Sequence, residues 1–142
     1  MKRLESLVFF LDRSLGKKTI ADALREVGAD VRIHDEFFSQ DARDEDWLPQ
    51  VGTKGWCVLT KDSRIKHRLI ERTALMEAGV RAFILVSGNL TGQEMAQIFV
   101  KALPRMRKFA VKHSPPFIAK IHRDGSVEMW VSESNIPGNR QR

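Results

Sequence analysis

Apolar positions along the chain fall into short blocks separated by stretches of helical period. Leu7 to Leu11 is a continuous apolar run that stops at Asp12, the pattern of a parallel strand covered on both faces. Ile20, Ala23, Leu24 and Val27 then recur at i, i+3, i+4 and i+7, which predicts a helix with one buried face. Gly28 follows where a helix end accepts a left-handed residue. Val31 and Ile33 predict a second strand, and Trp47, Leu48 and Val51 a short helix ended by Gly52 and Gly55. Trp56 to Thr60 predicts a third strand. Ile65, Leu69, Thr73 and Met76 continue a helical face up to Gly79, before a fourth strand over Ala82 to Val86.

Thr91-Gly92-Gln93-Glu94 has the spacing of a capping box, in which hydroxyl and carboxylate satisfy each other's free N–H groups. It opens the clearest helix, with Met95, Ile98, Phe99, Ala102, Leu103 and Met106 on one face and a kink expected at Pro104. Beyond Pro115-Pro116 the period changes to two. Phe117 to Ile121, a turn at Asp124-Gly125, and Val127 to Val131 predict a β-hairpin. From Asn135 the apolar periodicity is gone. A single domain over residues 1–134 with a flexible basic tail over 135–142 is therefore expected. Alternating strands and helices predict an α/β fold: a mainly parallel central sheet with helices on both faces. In such folds ligands bind beyond the C-terminal ends of the strands, so the residues directly after each strand carry the information.

Composition supports one domain with a real core: 142 residues, 42% hydrophobic and 30% charged. The charge is uneven. Residues 1–100 are balanced, and the whole +6 excess lies in the last 42 residues, where Arg105, Arg107, Lys108 and Lys112 crowd the end of the long helix. A basic segment on a neutral body points to a polyanion partner or to a solvated basic face. Cys57 is the only cysteine, which excludes a disulfide framework and a cysteine-rich zinc module and fits a reducing compartment. No apolar run approaches the ~20 residues of a membrane span. The run at Leu7 is shorter than the roughly 7–15 apolar residues of a signal peptide. A cytoplasmic protein without membrane association is expected.

Acids follow the strands. Asp12 follows the first, Asp35 and Glu36 the second, and Asp62 the third, while Asp44, Glu45 and Asp46 open the helix between strands two and three. Asp44 and Asp62 could serve only as helix caps. Acids converging at one sheet edge would, however, repel each other without a cation. Hard divalent cations take oxygen ligands and keep several waters, so carboxylates from different strands make a suitable site. His34, His67, His113 and His122 show no ligand spacing and are expected on the surface or in packing. Cys57, inside a strand, is expected to be a small buried hydrophobe.

The ordered set Phe9-Phe10-Leu11-Asp12, Asp44-Glu45-Asp46-Trp47-Leu48 and Val58-Leu59-Thr60-Lys61-Asp62 resembles the PIN-like domains. That family includes the VapC-type toxins of bacterial toxin–antitoxin pairs. Asn89 to Met95 and Pro115 to Ala119 are similar to a compact subgroup of the family, so the resemblance spans about residues 7–121. It implies a three-layer PIN-like sandwich and a Mg²⁺- or Mn²⁺-dependent endoribonuclease. It also implies an RNA substrate and a small DNA-binding antitoxin as partner; a homodimer is compatible with it. Asp12 and Asp62 match the first and last acids of the pattern. Asp46 matches the helical acid as a catalytic and metal-binding residue, with Asp44 and Glu45 as alternatives. Where many relatives place a fourth acid, this chain has Lys61, Arg64, Lys66 and Arg68. These are candidate phosphate contacts, as are Arg105, Arg107 and Lys108. No aromatic ladder suited to base stacking is evident. A receiver domain is the rival signalling module, but it wants paired acids where Leu11 and Arg13 flank Asp12. An Asp-x-Asp phosphatase is disfavoured by Ser14. An inactive PIN-like module that only binds a protein or RNA is the remaining alternative.

Overall fold

The computed structural model describes residues 7–62, 64, 77–86 and 88–132. Strands β1 (Val8–Leu11), β2 (Asp30–Ile33), β3 (Cys57–Thr60), β4 (Arg81–Leu85), β5 (Phe117–Ile121) and β6 (Val127–Ser132) form one sheet. Its order is β2-β1-β3-β4-β5-β6. The first five strands are parallel and β6 returns antiparallel to β5. Helix α1 (Thr19–Glu26) joins β1 to β2, α2 (Asp44–Thr53) joins β2 to β3, and α3 (Gly92–Lys112) joins β4 to β5. Single 3₁₀ turns, Arg13–Leu15 and His34–Glu36, follow β1 and β2. The helical face expected from Ile65 to Met76 lies outside the described residues, as does the tail from residue 133.

Strand side chains alternate between two cores, which is why the central strands read as unbroken apolar runs. Phe9, Leu11, Leu59, Phe83 and Ala119 face one side with Leu24 of α1 and Phe99 and Met106 of α3. Phe10, Val58, Ala82 and Ile84 face the other with Trp47, Leu48 and Val51 of α2. The result is the expected three-layer α/β sandwich with a C-terminal hairpin. Cys57 is buried in the first of these cores. The capping box forms: Thr91 N–H donates to Glu94 Oε1 at 2.8 Å, and Glu94 N–H to Thr91 Oγ1 at 3.1 Å. Helix α3 runs on through Pro104. Among the described residues no helix is long and apolar enough to cross a membrane.

Gly52 does not end α2 as the sequence pattern suggested; it lies inside the helix, which runs to Thr53. The reason is a close approach. A Cβ at Gly52 would stand 1.7 Å from the carbonyl oxygen of Ala78. Only glycine lets α2 settle this deeply on the segment entering β4.

Parallel strands place their C-terminal ends on one edge. The register Leu11 to Leu59, with Ile33 on the other side of Leu11, sets Asp12 next to Thr60. The acids that follow β1 and β3 are brought together there.

Candidate active site

Asp12 is fixed by three hydrogen bonds. Its N–H donates to Leu59 O at 3.1 Å, which extends the β1–β3 pairing by one step. Its Oδ1 then caps the 3₁₀ turn, accepting Ser14 N–H at 3.1 Å and the Ser14 hydroxyl at 2.5 Å. Ser14 Oγ lies 3.2 Å from Thr60 Oγ1 and accepts Lys61 N–H at 3.2 Å. Thr60 Oγ1 in turn accepts Asp62 N–H at 2.9 Å. Two hydroxyls thus tie the chain after β1 to the chain after β3, one carboxylate on each side. Asp12 is only 4% exposed. Burial pushes its carboxyl up to about 6, against hydrogen bonds from Ser14 and Thr60, and the nearby charge of Asp62 adds to the rise.

Asp62 is held differently. Its side chain is 17% exposed. Its Oδ1 accepts Arg64 N–H at 2.9 Å in a tight turn. The guanidinium then closes on both oxygens, Nε to Oδ1 at 3.0 Å and Nη2 to Oδ2 at 2.9 Å. Burial pushes Asp62 up, but the Arg64 bonds and charge outweigh it and leave the carboxyl below its ordinary value.

Of the acids opening α2, Asp44 is the one turned to this edge. Asp44 lines an open pocket of about 230 Å³ with Arg13, Arg43, Asp62 and Arg64. Its side chain is 12% exposed and lies 3.6 Å from Arg13 Nη2. The buried Trp47, one turn on, donates its Nε1–H to Asp44 Oδ1 at 3.0 Å. Asp46, the position favoured by the resemblance, is placed elsewhere. Two helical residues stand roughly 200° apart around the axis, so Trp47 cannot hold both inward. Asp46 is 57% exposed and pairs with Arg43 at 3.2 Å, and Glu45 pairs with the same arginine at 3.7 Å.

Lys61 and Arg64 sit at the acidic edge, directly after β3; Lys66 and Arg68 lie outside the described residues. Arg105, Arg107 and Lys108 are not brought to the acids. Arg105 donates to Asp124 O at 3.4 Å in the β5–β6 turn, and Lys108 is exposed. Arg107 reaches Gly28 O at 3.3 Å, in the turn entering β2, on the opposite edge of the sheet. Sequence reasoning missed Arg13, Ser14 and Thr60 as parts of the site. Their signal was only adjacency to Asp12 and Asp62. The histidines do pack or lie at the surface where described. His34 is buried among Phe10, Phe38 and Trp47, and burial lowers its pKa. His113 packs on Phe109 at 4.3 Å, and His122 pairs with Glu128 at 2.8 Å.

Among the described residues, no three His, Cys, Asp or Glu side chains are gathered closely enough to hold a metal ion. The charges of Asp62 and Asp44 are met by Arg64 and Arg13 instead. The donor chemistry nonetheless suits a hard cation. Asp12 and Asp62 lie side by side with the hydroxyls of Ser14 and Thr60, all oxygen groups, and Mg²⁺ usually takes only one or two carboxylates, with waters and substrate phosphates completing its shell.

The family model for a PIN like domain matches residues 7–87. That span runs from β1 through β4 and contains Asp12, Asp44 and Asp62. The candidate ribonuclease VapC45 of Mycobacterium tuberculosis is 26% identical over 117 residues, which is 80% of this chain and 84% of that protein. No solved structure matches the chain. With more than half its length matched by the family model, and the strand-end acids inside the match, the chain belongs to the PIN-like domain family.

Proposed function

We propose that the protein is a metal-dependent endoribonuclease, the toxin of a toxin–antitoxin pair. The observation that carries this is the buried Asp12 carboxyl standing beside Asp62 at the C-terminal edge of the sheet, where Asp62 and Asp44 line an open pocket. The similarity to VapC45, named as a ribonuclease, supports RNA as the substrate. Asp12 and Asp62 would hold Mg²⁺ or Mn²⁺, which when bound lowers the pKa of water and polarises a phosphate.

The chain's own residues do the rest. Ser14 and Thr60 keep the two carboxylates in place through the hydroxyl bridge. Such support of metal-facing groups is worth about ten- to a hundredfold in affinity or activity where it has been removed. Asp44 anchors Arg13 beside the pocket. Arg64 and Arg13 line the same pocket, and the exposed Lys61 directly follows β3 beside it; together they present positive charge where an RNA backbone would lie. The basic surface of Arg105, Arg107 and Lys108 lies off this path and would suit an acidic stretch of the antitoxin.

Incubation of the purified protein with a mixed RNA substrate tests the reading. Internal cleavage is expected with Mg²⁺ or Mn²⁺, none in excess EDTA, and recovery when Mn²⁺ is restored. Cleavage that survives EDTA would remove the metal from the mechanism. An intact, folded protein that binds RNA but never cuts it would favour the inactive PIN-like module.

A further inference from the structure

Among the described residues three arginines line the acidic pocket, and they are committed to different acids. Arg43 pairs with Asp46 and Glu45 on the outer face of α2. Arg13 bonds Gln40 O and lies against Asp44. Only Arg64 engages one of the two carboxylates that the proposed cation would need. It does so with a full fork, covering both oxygens of Asp62. A guanidinium so placed neutralises the same charge that a divalent cation would seek, from within hydrogen-bond distance.

Two features make this contact exchangeable. The Arg64 side chain is 82% exposed, so its guanidinium can swing into water. Asp62 would not lose its orientation when the fork leaves. The backbone bond from Arg64 N–H to Oδ1 and the Thr60 bond to Asp62 N–H do not depend on the guanidinium.

We propose that Arg64 is a built-in counter-ion of this site, competing with the divalent cation for the Asp62 carboxylate and so setting the cation concentration at which the site fills. The inference rests on the metal-dependent reading above. It deepens it by giving Arg64 a role in metal occupancy, separate from any contact with RNA.

Titration of free Mn²⁺, followed by its electron paramagnetic resonance signal in the absence of RNA, tests it. The proteins needed are the wild type, Arg64→Gln, Arg43→Gln and Asp62→Asn. Arg43→Gln removes the same charge from the same pocket without touching Asp62. Arg64→Gln is expected to bind Mn²⁺ about three- to fivefold more tightly than the wild type, the upper part of the range of an exposed ion pair. Arg43→Gln should stay within about twofold, and Asp62→Asn should bind more weakly than any of the others. Equal or weaker binding by Arg64→Gln overturns the proposal while the metal reading stands. Equal tightening by Arg43→Gln also overturns it, because general electrostatics would then account for the gain. If no variant and no wild type binds Mn²⁺, the metal reading falls and the competition with it.

Discussion

Replacing Asp12 by Asn removes one buried charge while keeping the shape of the side chain and the Oδ1 acceptor for Ser14. In the folded protein the Asp12 carboxyl is raised from 3.8 to about 6, chiefly by burial. A carboxyl with a raised folded pKa is bound to its proton more tightly in the folded chain than in the unfolded one. Its contribution to stability is complete below the unfolded pKa near 3.8 and is lost as pH rises through about 6. At neutral pH and without metal, the wild type carries the whole penalty. A difference of about two pH units, at roughly 1.4 kcal/mol each, comes to about 3 kcal/mol. The hydrogen bonds to Ser14 weaken when the acceptor loses its charge, which offsets roughly 1 kcal/mol. A net gain of about 2 kcal/mol remains, and at roughly 3 °C per kcal/mol for a chain of this size Asp12→Asn should melt about 6 °C higher. The assay is thermal unfolding of both proteins in EDTA from pH 4 to pH 8. The advantage of the variant should be largest above pH 7 and shrink towards zero near pH 4. An advantage that does not change with pH, or a variant that melts lower at pH 7, would refute the placement of a buried, cation-seeking carboxylate at this position.

Other outcomes follow from the same geometry. Asp44→Asn should reduce RNA cleavage by about ten- to a hundredfold, because it frees Arg13 beside the site, whereas Asp46→Asn should leave the rate within about twofold; rates on one RNA compare them, and the reverse order would place the helical acid at Asp46. Gly52→Ala should lower stability by about 1–3 kcal/mol, the range for overpacking, since its Cβ would meet the Ala78 carbonyl; an unchanged denaturation midpoint would show that α2 can shift without cost. RNA binding should weaken with salt, and Lys61→Gln should flatten the log–log slope by about 0.7. The triple variant Arg105→Gln, Arg107→Gln, Lys108→Gln should leave that slope unchanged, and a flatter slope would put the C-terminal face back on the RNA path.

The order of the strands was legible because parallel strands buried on both faces leave unbroken apolar runs, such as Val8–Leu11 and Cys57–Thr60. The placement of Asp12 and Asp62 was legible for a related reason: Asp12 directly follows one such run and Asp62 lies two residues beyond another, so no side-chain geometry was needed to put them on one edge. Which of the α2 acids turns to that edge was not. Asp44, Glu45 and Asp46 are adjacent in sequence, and a shift of two residues turns a side chain to the other side of the helix. What selects Asp44 is the hydrogen bond from Trp47, which apolar periodicity registers only as a buried ring. Ser14 and Thr60 were hidden because a 3₁₀ turn of three residues leaves no periodic trace. The placement of the basic C-terminal third was hidden for another reason. Its charges cluster along the chain, but α3 carries them away from the acids, with Arg107 at the turn entering β2. Gly52 looked like a helix stop because glycines often are; its close contact with Ala78 is a tertiary fact.

The central claim is that Asp12 and Asp62 together serve metal-dependent RNA hydrolysis, and the most direct measurement is the cleavage rate of Asp12→Asn and Asp62→Asn beside the wild type, with Mg²⁺ or Mn²⁺ and one defined RNA. Circular dichroism on the same samples shows that each variant is folded. The account predicts that both variants keep the wild-type spectrum and lose cleavage by at least about a hundredfold. A folded variant of either residue that still cuts RNA at the wild-type rate with the same metal would contradict it.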